Sequence, residues 1–341
     1  MMIWARIGAF IVLGIGIYLT LPSNRSTLLK QPCTTDTDDE IENIESKDET
    51  VIKTEAETEK PDFATSYHKI VKRTNTTGPW SFRRGRFAAY ATKGNRSEMF
   101  DRFVIMDNGK RGEDSIWAVA IFDGRDCHDI CDEAERHLVS EVLDNVVKKA
   151  PRNFDTTFAI SDEAVFQFDY RTTRKLYSNS LCASTAIIAY VYKQIGFVVQ
   201  LGDSRAMVVS SDRFVLSPNH SVQEEAELLA RLKIPVSFVD GAWRIAGVFP
   251  LSRVLGALKL KLARLLINSC SAMVFFEEGN EKYEYLIVAS NGLWDSVSVD
   301  EILGLLDRHR KDKLFGAKIL AETALKEGSQ DNISVIVVRL R

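Results

Sequence analysis

An aspartate follows directly on one of the most apolar runs of this chain. The run 116–122 has the length of a buried strand and is followed by Asp123 and Gly124. A carboxylate where a strand leaves the core, beside a glycine that lets a ligand approach the backbone, is a common arrangement at metal and phosphate sites. The same dipeptide is also typical of a simple turn, so Asp123 alone leaves both interpretations open.

Four other apolar runs are bordered by polar side chains in a similar way. The segments are 94–102, 197–206, 285–295 and 328–335, and they contain Arg96, Asp203, Asn291, Asp295 and Asp331. Carboxylates brought from distant parts of a chain to one edge of a sandwich hold hard cations such as Mg²⁺ or Mn²⁺. Two such ions activate a water and bind the oxygens of a phosphoryl group. Five motifs of this kind favour a metal-dependent phosphate site over five unrelated turns.

The elements that must position these side chains are mostly strands. Nine short segments rich in Val, Ile, Phe and Tyr predict strands at 86–91, 101–106, 116–122, 185–192, 196–201, 205–210, 272–276, 284–289 and 333–339. Helical periodicity occurs in four segments, at 130–146, 222–232, 299–309 and 314–326. Successive strands with few helices between them predict an α+β layered domain rather than βαβ repeats.

The N-terminus is apolar enough to interact with a membrane. Residues 7–22 are almost continuously apolar, and with 1–4 in front of them they nearly span a bilayer. A signal peptide and an uncleaved anchor both fit this pattern, and the lack of a small-x-small cleavage site favours the anchor. We therefore predict a membrane anchor or signal segment at 1–24. Its flanking positive charges are balanced and give no preferred orientation.

The next segment is strongly acidic. Residues 33–60 contain eleven acids and three lysines, whereas the whole chain has a net charge of −3. With so few large apolar residues the segment cannot offset its ordering entropy, which predicts a disordered spacer at 25–66, although an acidic docking tail is an alternative. The folded domain is then 67–341. Its charge is not that of a nucleic-acid-binding protein, so we expect no nucleic-acid partner.

The five cysteines are scattered along the chain and odd in number. They predict free thiols rather than a disulfide framework. Cys127, His128 and Cys131 lie close enough in sequence to suggest zinc, but no second Cys/His pair completes such a site. We interpret them as thiols at the start of a helix, with zinc as the alternative.

The motifs also occur in a recognisable order. They read Arg-x-x-Met-x-Asp from Arg96, Phe-Asp-Gly from Phe122, Ala-Ser-Thr-Ala at 183–186, Gly-Asp-Ser-Arg-Ala from Gly202, Leu-Ser-Arg-x-Leu-Gly at 251–256, Ala-Ser-x-Gly-Leu-Trp-Asp from Ala289, and Gly-Ser-x-Asp-Asn-Ile-Ser-Val from Gly328. This ordered set resembles the metal-dependent serine/threonine protein phosphatases of type 2C, from about residue 87 to the C-terminus. The resemblance implies two antiparallel β-sheets packed as a sandwich and flanked by helices.

The resemblance also implies roles for individual residues. Asp123 matches the carboxylate that bridges two metals, and Gly124 matches the glycine whose carbonyl contributes to the site. Asp331 matches a ligand of the first metal, and Arg96 matches the guanidinium that holds the substrate phosphate. Asp203 and Asp295 match acids that bind a weaker third ion.

Three positions depart from the family pattern. Phe100 stands where the family has a glutamate ligand, Asn291 where it has an aspartate ligand, and Arg125 where it has a histidine proposed to protonate the leaving group. Each change makes the centre one unit more positive. We therefore expect one Mg²⁺ or Mn²⁺ site rather than two. Arg125, which stays protonated, is expected to bind phosphate together with Arg96 without promoting hydrolysis.

Three hypotheses follow for function. The first is a pseudophosphatase that binds phosphoserine or phosphothreonine proteins or a kinase. The second is an active Mg²⁺- or Mn²⁺-dependent phosphatase that uses Asn291 as a neutral ligand, and the third is a membrane-tethered structural protein. Glycosylation sequons at Asn95 and Asn332 lie inside the motifs, and the cysteines are predicted to be free. Both features favour a cytosolic domain on a single N-terminal membrane anchor.

Overall fold

The apolar run that ends at Asp123 forms a strand that is buried on both faces. This strand, β5 (Ile116–Phe122), lies inside one of two stacked sheets in the computed structural model, which describes residues 68–69, 79–110, 114–125, 127–176, 181–211, 213–276 and 283–340. Trp117, Val119 and Ile121 pack between the sheets. Ala118, Ala120 and Phe122 pack against helices. Burial on both faces explains why the run is continuous rather than alternating.

Two six-stranded antiparallel sheets form the centre of the domain. The order of the first is β1 (His68–Lys69), β4 (Arg102–Asp107), β5, β8 (Ala186–Tyr192), β9 (Ile195–Leu201) and β15 (Ser271–Phe276). The order of the second is β11 (Phe214–Leu216), β10 (Arg205–Val209), β16 (Tyr285–Ala289), β17 (Ile333–Arg339), β3 (Phe87–Thr92) and β2 (Trp80–Arg84). Their facing side chains form one shared core.

Two small sheets lie beside this sandwich. One joins β14 (Leu255–Gly256), β7 (Ala183–Ser184) and β6 (Gly124–Arg125), so it carries the residues that follow Asp123. The other is a hairpin of β12 (Val236–Val239) and β13 (Ala242–Ile245). A separate apolar cluster packs the region between residues 222 and 267.

Helices cover the outer face of each large sheet. The first sheet is covered by α1 (Asp129–Glu133), a π-helical turn (Ala134–Leu138), α2 (Val139–Lys149) and α3 (Phe154–Leu176). The second is covered by α7 (Val299–His309) and α8 (Ala317–Lys326). The short helices are α4 (Ala226–Arg231), α5 (Leu258–Leu262) and α6 (Asn291–Trp294). The predicted α+β sandwich with flanking helices is therefore confirmed.

Most elements agree with the sequence prediction. All nine predicted strands and all four predicted helices are present, with ends that differ by a few residues. The 23-residue helix α3 was not predicted, because its buried face includes Thr157, Ser161, Asp169 and Thr173, which interrupt the apolar stripe. None of the helices in the described ranges is long and apolar enough to cross a membrane.

The predicted domain limits concern the N-terminal part of the chain. The anchor at 1–24 and the spacer at 25–66 lie outside the described residues. The described residues belong to one unit, Glu59–Arg341. The boundary at residue 67 stays a prediction.

Strand register brings the polar motifs to one end of the sandwich. Phe122 at the end of β5 is opposite Arg102 at the start of β4. In the second sheet, Ala289 at the end of β16 is opposite Arg205 at the start of β10 and Val335 near the start of β17. Because neighbouring strands are antiparallel, segments that follow one strand and precede the next meet at the same edge.

Candidate active site

Asp123 lies at that edge, and its backbone is fixed by a neighbouring strand connection. Its N–H donates to Thr185 Oγ1 at 3.2 Å, and its carbonyl accepts from the Thr185 N–H at 2.9 Å. The side chain is 5% exposed, and Oδ2 has no hydrogen-bond partner among the described residues. Burial raises the pKa of the Asp123 carboxyl well above its usual value, and the nearby charge of Asp101 raises it further.

Asp101 is a buried acid to which the sequence reasoning gave no role. It is the last residue of the Arg-x-x-Met-x-Asp motif, and this position in the motif is the sequence feature that could have indicated a role. The side chain is 3% exposed, and neither carboxylate oxygen has a well-formed hydrogen bond within the described ranges. Burial raises the pKa of this carboxyl to about 6, while the hydroxyls of Ser334 and Ser290 oppose the shift. Two buried acids, Asp101 and Asp123, therefore repel each other across the site.

Arg125 supplies positive charge to this acidic cluster. Its Nη2 donates to Asp203 Oδ2 at 2.9 Å, and the two side chains are 25% and 12% exposed. Burial lowers the pKa of the guanidinium, but the carboxylates of Asp203 and Asp123 outweigh burial, so the net effect is a raised pKa. Arg125 is thus a fixed cation held by acids and not a proton donor.

Asp203 and Asp295 complete the acidic side of the cluster. Burial raises the pKa of the Asp203 carboxyl, and Arg125 opposes the rise. Burial likewise raises the pKa of Asp295, and the charge of Asp203 adds to it. Asn291, the first residue of α6, donates from Nδ2 to Asp295 Oδ2 at 3.1 Å. Its Oδ1 has no hydrogen-bond partner in the described part of the chain and is available as a neutral ligand.

Arg96 and Asp331 meet on the more exposed side of the edge. Arg96 Nη2 lies 3.1 Å from Asp331 Oδ2, and Arg96 Nε donates to the Gln330 carbonyl at 2.9 Å. The Arg96 side chain is about half exposed, so other donors of its guanidinium face solvent. The second oxygen of Asp331 accepts from the Asn332 N–H at 2.8 Å. The predicted phosphate-binding arginine is therefore held beside a predicted metal ligand.

Asn332 positions the loop that carries Arg96. Its Nδ2 donates to the carbonyls of Lys93 and Glu98, both at 2.9 Å. Its Oδ1 accepts from the Phe100 N–H at 2.7 Å. The ring of Phe100 stacks on His128, with centroids 4.4 Å apart and planes 16° apart. An aromatic stack thus occupies the position where the type 2C resemblance implies a carboxylate ligand.

Gly124 is required by its close surroundings. A Cβ on this residue would lie 2.9 Å from Cys131 Sγ and 3.1 Å from the Phe100 carbonyl oxygen. The first distance is shorter than a Cβ contact allows, and the second would require the backbone at Phe100 to shift by a few tenths of an ångström. Glycine therefore lets β6 lie directly against the 96–101 loop.

The prediction of free thiols is wrong for Cys127 and Cys182. Cys127 and Cys182 form a disulfide with Cα atoms 5.5 Å apart, whereas Cys131 and Cys270 are free and buried. The pairing joins residues just outside the β6–β7 ladder, in which Arg125 is opposite Ala183. Spacing along the chain gave no signal, because the partners are 55 residues apart. The disulfide constrains the segment that carries Arg125.

The sequence is similar to those of known protein phosphatases. Residues 85–333 match the family described as protein phosphatase 2C. Over 260 residues the chain is 31% identical to probable protein phosphatase 2C 59 of Arabidopsis thaliana, covering 75% of this chain and 80% of that protein. The chain belongs to the protein phosphatase 2C family. It is also 28% identical to protein phosphatase 1L of Bos taurus over 271 residues, covering 77% of this chain and 74% of that protein.

Two solved structures have the same fold. A serine-threonine phosphatase 2C from Toxoplasma gondii superposes with a TM-score of 0.61 at 18% identity, covering 77% of this chain and 99% of that one. A C. elegans sex determining protein gives a TM-score of 0.64 at 24% identity. The match covers 75% of this chain, which spans 64% of the length of that protein. At these identities the likeness shows the fold alone.

Members of the protein phosphatase 2C family generally use Mg²⁺ or Mn²⁺. The donor chemistry at this edge fits a hard cation, because buried oxygens of Asp101, Asp123 and Asn291 have no well-formed hydrogen bond within the described residues. The positions of these groups fit a metal ion less well than their chemistry does. No three His, Cys, Asp or Glu side chains of the described ranges are grouped as a metal site requires.

Proposed function

We propose that this chain is a protein phosphatase 2C-type domain that binds phosphorylated serine or threonine side chains with weak or absent hydrolysis. The observation that carries the proposal is the ion pair of Arg125 with Asp203 at 2.9 Å, inside the acidic cluster. A fixed cation there repels a metal ion. It also replaces a titratable group with one that stays protonated and cannot release a proton to a leaving group.

The proposal includes one Mg²⁺ or Mn²⁺ rather than two. The groups that would hold it are Asp123, the Gly124 carbonyl, Asp331 and Asn291, with Asp101 as an additional acid. A bound ion of this kind polarises a phosphoryl oxygen and activates water. Phe100 supplies no side-chain ligand. Arg125 forms an ion pair with Asp203, and its positive charge opposes the binding of a further metal ion near Asp203 and Asp295.

Phosphate recognition would come from Arg96 together with Arg125. Arg96 is about half exposed and keeps donors free of Asp331 and Gln330. A guanidinium fork binds phosphate oxygens through two parallel hydrogen bonds, and these charge-assisted bonds are stronger than neutral ones. The partner class is therefore phosphoserine or phosphothreonine proteins, or a kinase that carries such a group.

A second candidate function is an active metal-dependent phosphatase. The unpartnered oxygens of the buried Asp101 and Asp123 favour it, because a cation would satisfy them and relieve their repulsion. In this case Asp101 compensates in part for the charge that Phe100 and Asn291 do not provide.

A phosphatase assay on the full-length chain in millimolar Mn²⁺ tests the proposal, with Asp123→Ala as the control. We expect no turnover above that control. We expect activity to appear in a Phe100→Glu/Arg125→His/Asn291→Asp variant. Turnover by the unmodified chain that is lost in Asp123→Ala would reject the pseudophosphatase. Calorimetry that detects two tightly bound Mn²⁺ ions would reject the single metal site.

We also propose that residues 1–24 anchor the chain in a membrane and that 25–66 link this anchor to a cytosolic domain at 67–341. The burial of Asn332 supports the cytosolic side, since its amide is 2% exposed and bonded to backbone carbonyls, so it cannot carry a glycan. The Cys127–Cys182 disulfide argues in the other direction, because such bonds persist in oxidising compartments. Protease treatment of sealed vesicles decides the matter, since a cytosolic domain is degraded and a lumenal one is protected.

A further inference from the structure

Two arginines of the second sheet stack against one buried phenylalanine, Phe315. Cζ of Arg83 lies 4.0 Å from the centroid of the Phe315 ring, and Cζ of Arg339 lies 5.1 Å from it. The ring is buried, whereas both arginines are exposed. Phe315 therefore serves as a platform that holds two guanidinium groups by cation–π contacts.

Strand register explains why the two arginines converge. Arg83 of β2 is opposite Ala88 of β3, and Ala88 is opposite Val337 of β17, two residues before Arg339. Opposed residues share a face of a sheet, as do alternate residues along one strand. Arg83 and Arg339 thus project from the same face, on either side of β3. The small side chain of Ala88 lies between them.

The two guanidinium groups have no carboxylate partner among the described residues. Within the described ranges, no carboxylate forms an ion pair with either Arg83 or Arg339. Their distances to the ring limit the separation of the two Cζ atoms to about 9 Å. Burial lowers the pKa of Arg83, and the charge of Arg339 lowers it further. Two like charges held this close favour an anion beside them.

Two clefts lie beside this arginine pair. One, of about 540 Å³, is lined by Arg83, Lys313 and Lys318 among others. The other, of about 360 Å³, is lined by Arg310, Lys311 and Arg339 together with Tyr285 and Phe315. Six positively charged side chains therefore line the two clefts, in a chain whose net charge is −3. We call these six residues and Phe315 the basic cleft.

Nearby acids neutralise only part of this charge. Arg310 lies 3.6 Å from both Glu284 and Asp307, and Lys318 lies 3.6 Å from Glu322. Asp312, the one acid that lines the clefts, accepts from the backbone N–H groups of Leu314 and Gly316 through Oδ1 and so holds its own loop.

We infer that the basic cleft binds a phosphoryl group, carried by a phosphorylated side chain or by a small soluble phosphate. Arginine forks match phosphate oxygens, and lysines add point charges around them. Eight residues of nearly extended chain separate Asp331 from Arg339, which places this cleft roughly 26 Å from the acidic cluster. The inference is independent of the proposed function, because the two sites share no residue.

Fluorescence anisotropy of a labelled phosphoserine peptide tests the inference on the full-length chain. The measurements use an Arg96→Gln background, so that binding at the acidic cluster is weakened. In about 0.15 M salt, we expect Arg83→Gln/Arg339→Gln to weaken binding at least about tenfold, because two charge-assisted contacts are lost. Lys313→Gln/Lys318→Gln, which leaves the stacked pair intact, is expected to weaken binding as well.

Arg231→Gln/Arg264→Gln is the matched control, since it removes the same charge from exposed arginines elsewhere. The unphosphorylated peptide and inorganic pyrophosphate distinguish the two sources of the ligand. Cleft-dependent binding of the phosphopeptide supports a phosphorylated side chain, and cleft-dependent binding of pyrophosphate alone supports a small anion. The inference is overturned if neither probe binds, or if the cleft variants and the control variant bind equally well.

Discussion

Strand β17 extends from the acidic cluster at one end to the basic cleft at the other. The acidic cluster consists of Asp101, Asp123, Asp203 and Asp295 together with Arg125. At the acidic end, Asp123 and the half-buried Asp203 share the charge of Arg125, and Asp101 is buried near Asp123. At the basic end, Arg83 and Arg339 are exposed and rest on a buried ring. The sandwich therefore keeps one set of charges largely away from water and leaves the other set exposed to it.

The difference determines how strongly each region depends on its own charges. In a buried cluster, removing one partner leaves an uncompensated charge, which destabilises the fold by several kcal/mol. At an exposed site water and salt screen the charges, so their loss affects ligand binding far more than folding. Substitutions at the acidic end should therefore lower the stability of the fold. Substitutions at the basic end should change ligand binding and leave the stability nearly unchanged.

The largest effect is expected for Arg125→Ala. Removing the guanidinium leaves Asp203 and Asp123 buried without their cation, so we expect the free energy of unfolding to fall by about 3 kcal/mol. This is the lower end of the usual range, because a quarter of the Arg125 side chain is exposed. Urea denaturation measures the change, with Arg125→Lys as the conservative control. A loss no larger than that of Arg83→Ala would break the comparison.

Reduction of the Cys127–Cys182 disulfide should have the next largest effect. The bond closes a loop of 55 residues. A disulfide that closes a loop of this size typically stabilises a fold by about 2–4 kcal/mol. We expect a reductant to lower the thermal midpoint of the unmodified chain. It should leave a Cys127→Ser/Cys182→Ser variant unchanged. An equal response of the two proteins would show that the bond does not form in solution.

Asp101→Asn tests the cost of keeping a buried acid ionised beside other acids. The pKa of Asp101 is raised to about 6, above the value near 3.9 of an unfolded chain. The folded state thus binds the proton more tightly, and its stability falls as the pH rises from about 4 to about 6. In a buffer with chelator, the variant should be roughly 2 kcal/mol more stable than the unmodified chain at pH 7 and equal to it near pH 4.

Added Mn²⁺ sharpens the same experiment. A cation bound near Asp101 would stabilise the unmodified chain and not the variant, so the difference at pH 7 should shrink or change sign. Denaturation curves at pH 4 and pH 7, with chelator and with Mn²⁺, provide the four measurements. A variant that is less stable at pH 7 even with chelator would contradict the assignment of a repelling pair.

The smallest effect on folding is expected at the basic end. Arg83→Ala loses a cation–π contact worth about 0.5–1 kcal/mol at exposed sites but also removes the repulsion with Arg339. We expect the free energy of unfolding to change by no more than about 0.5 kcal/mol. A loss of 2 kcal/mol or more, roughly that of the acidic end, would show that Arg83 is a structural residue.

The sequence predicted most strands of the sandwich well and the longest of the described helices not at all. Runs such as 116–122 are apolar on both faces of the chain, and burial in a layered sheet is the environment that accounts for them. Helix α3 instead buries Asp169, whose Oδ1 accepts from the Gly256 N–H at 2.6 Å. Ser161 of the same helix bonds to the Tyr190 hydroxyl, so these two buried polar groups have partners far away in sequence. Local periodicity does not carry that information.

The candidate site divides in the same way. Side-chain chemistry alone established that Phe100 cannot bind a metal, that Arg125 carries a permanent charge and that Asn291 offers a neutral oxygen. The order of motifs also indicated the family, to which the chain belongs. The roles of Asp123, Asp331 and the other site residues stay predictions.

Only the tertiary structure decided which of these groups meet. The pairing of Arg125 with Asp203, the opposition of Asp101 to Asp123 and the disulfide between Cys127 and Cys182 all join residues distant in sequence. The contact of Arg83 and Arg339 with one ring is of the same kind. Residue types determine what each group can do. Strand register and burial determine which charges face one another and how far water screens them.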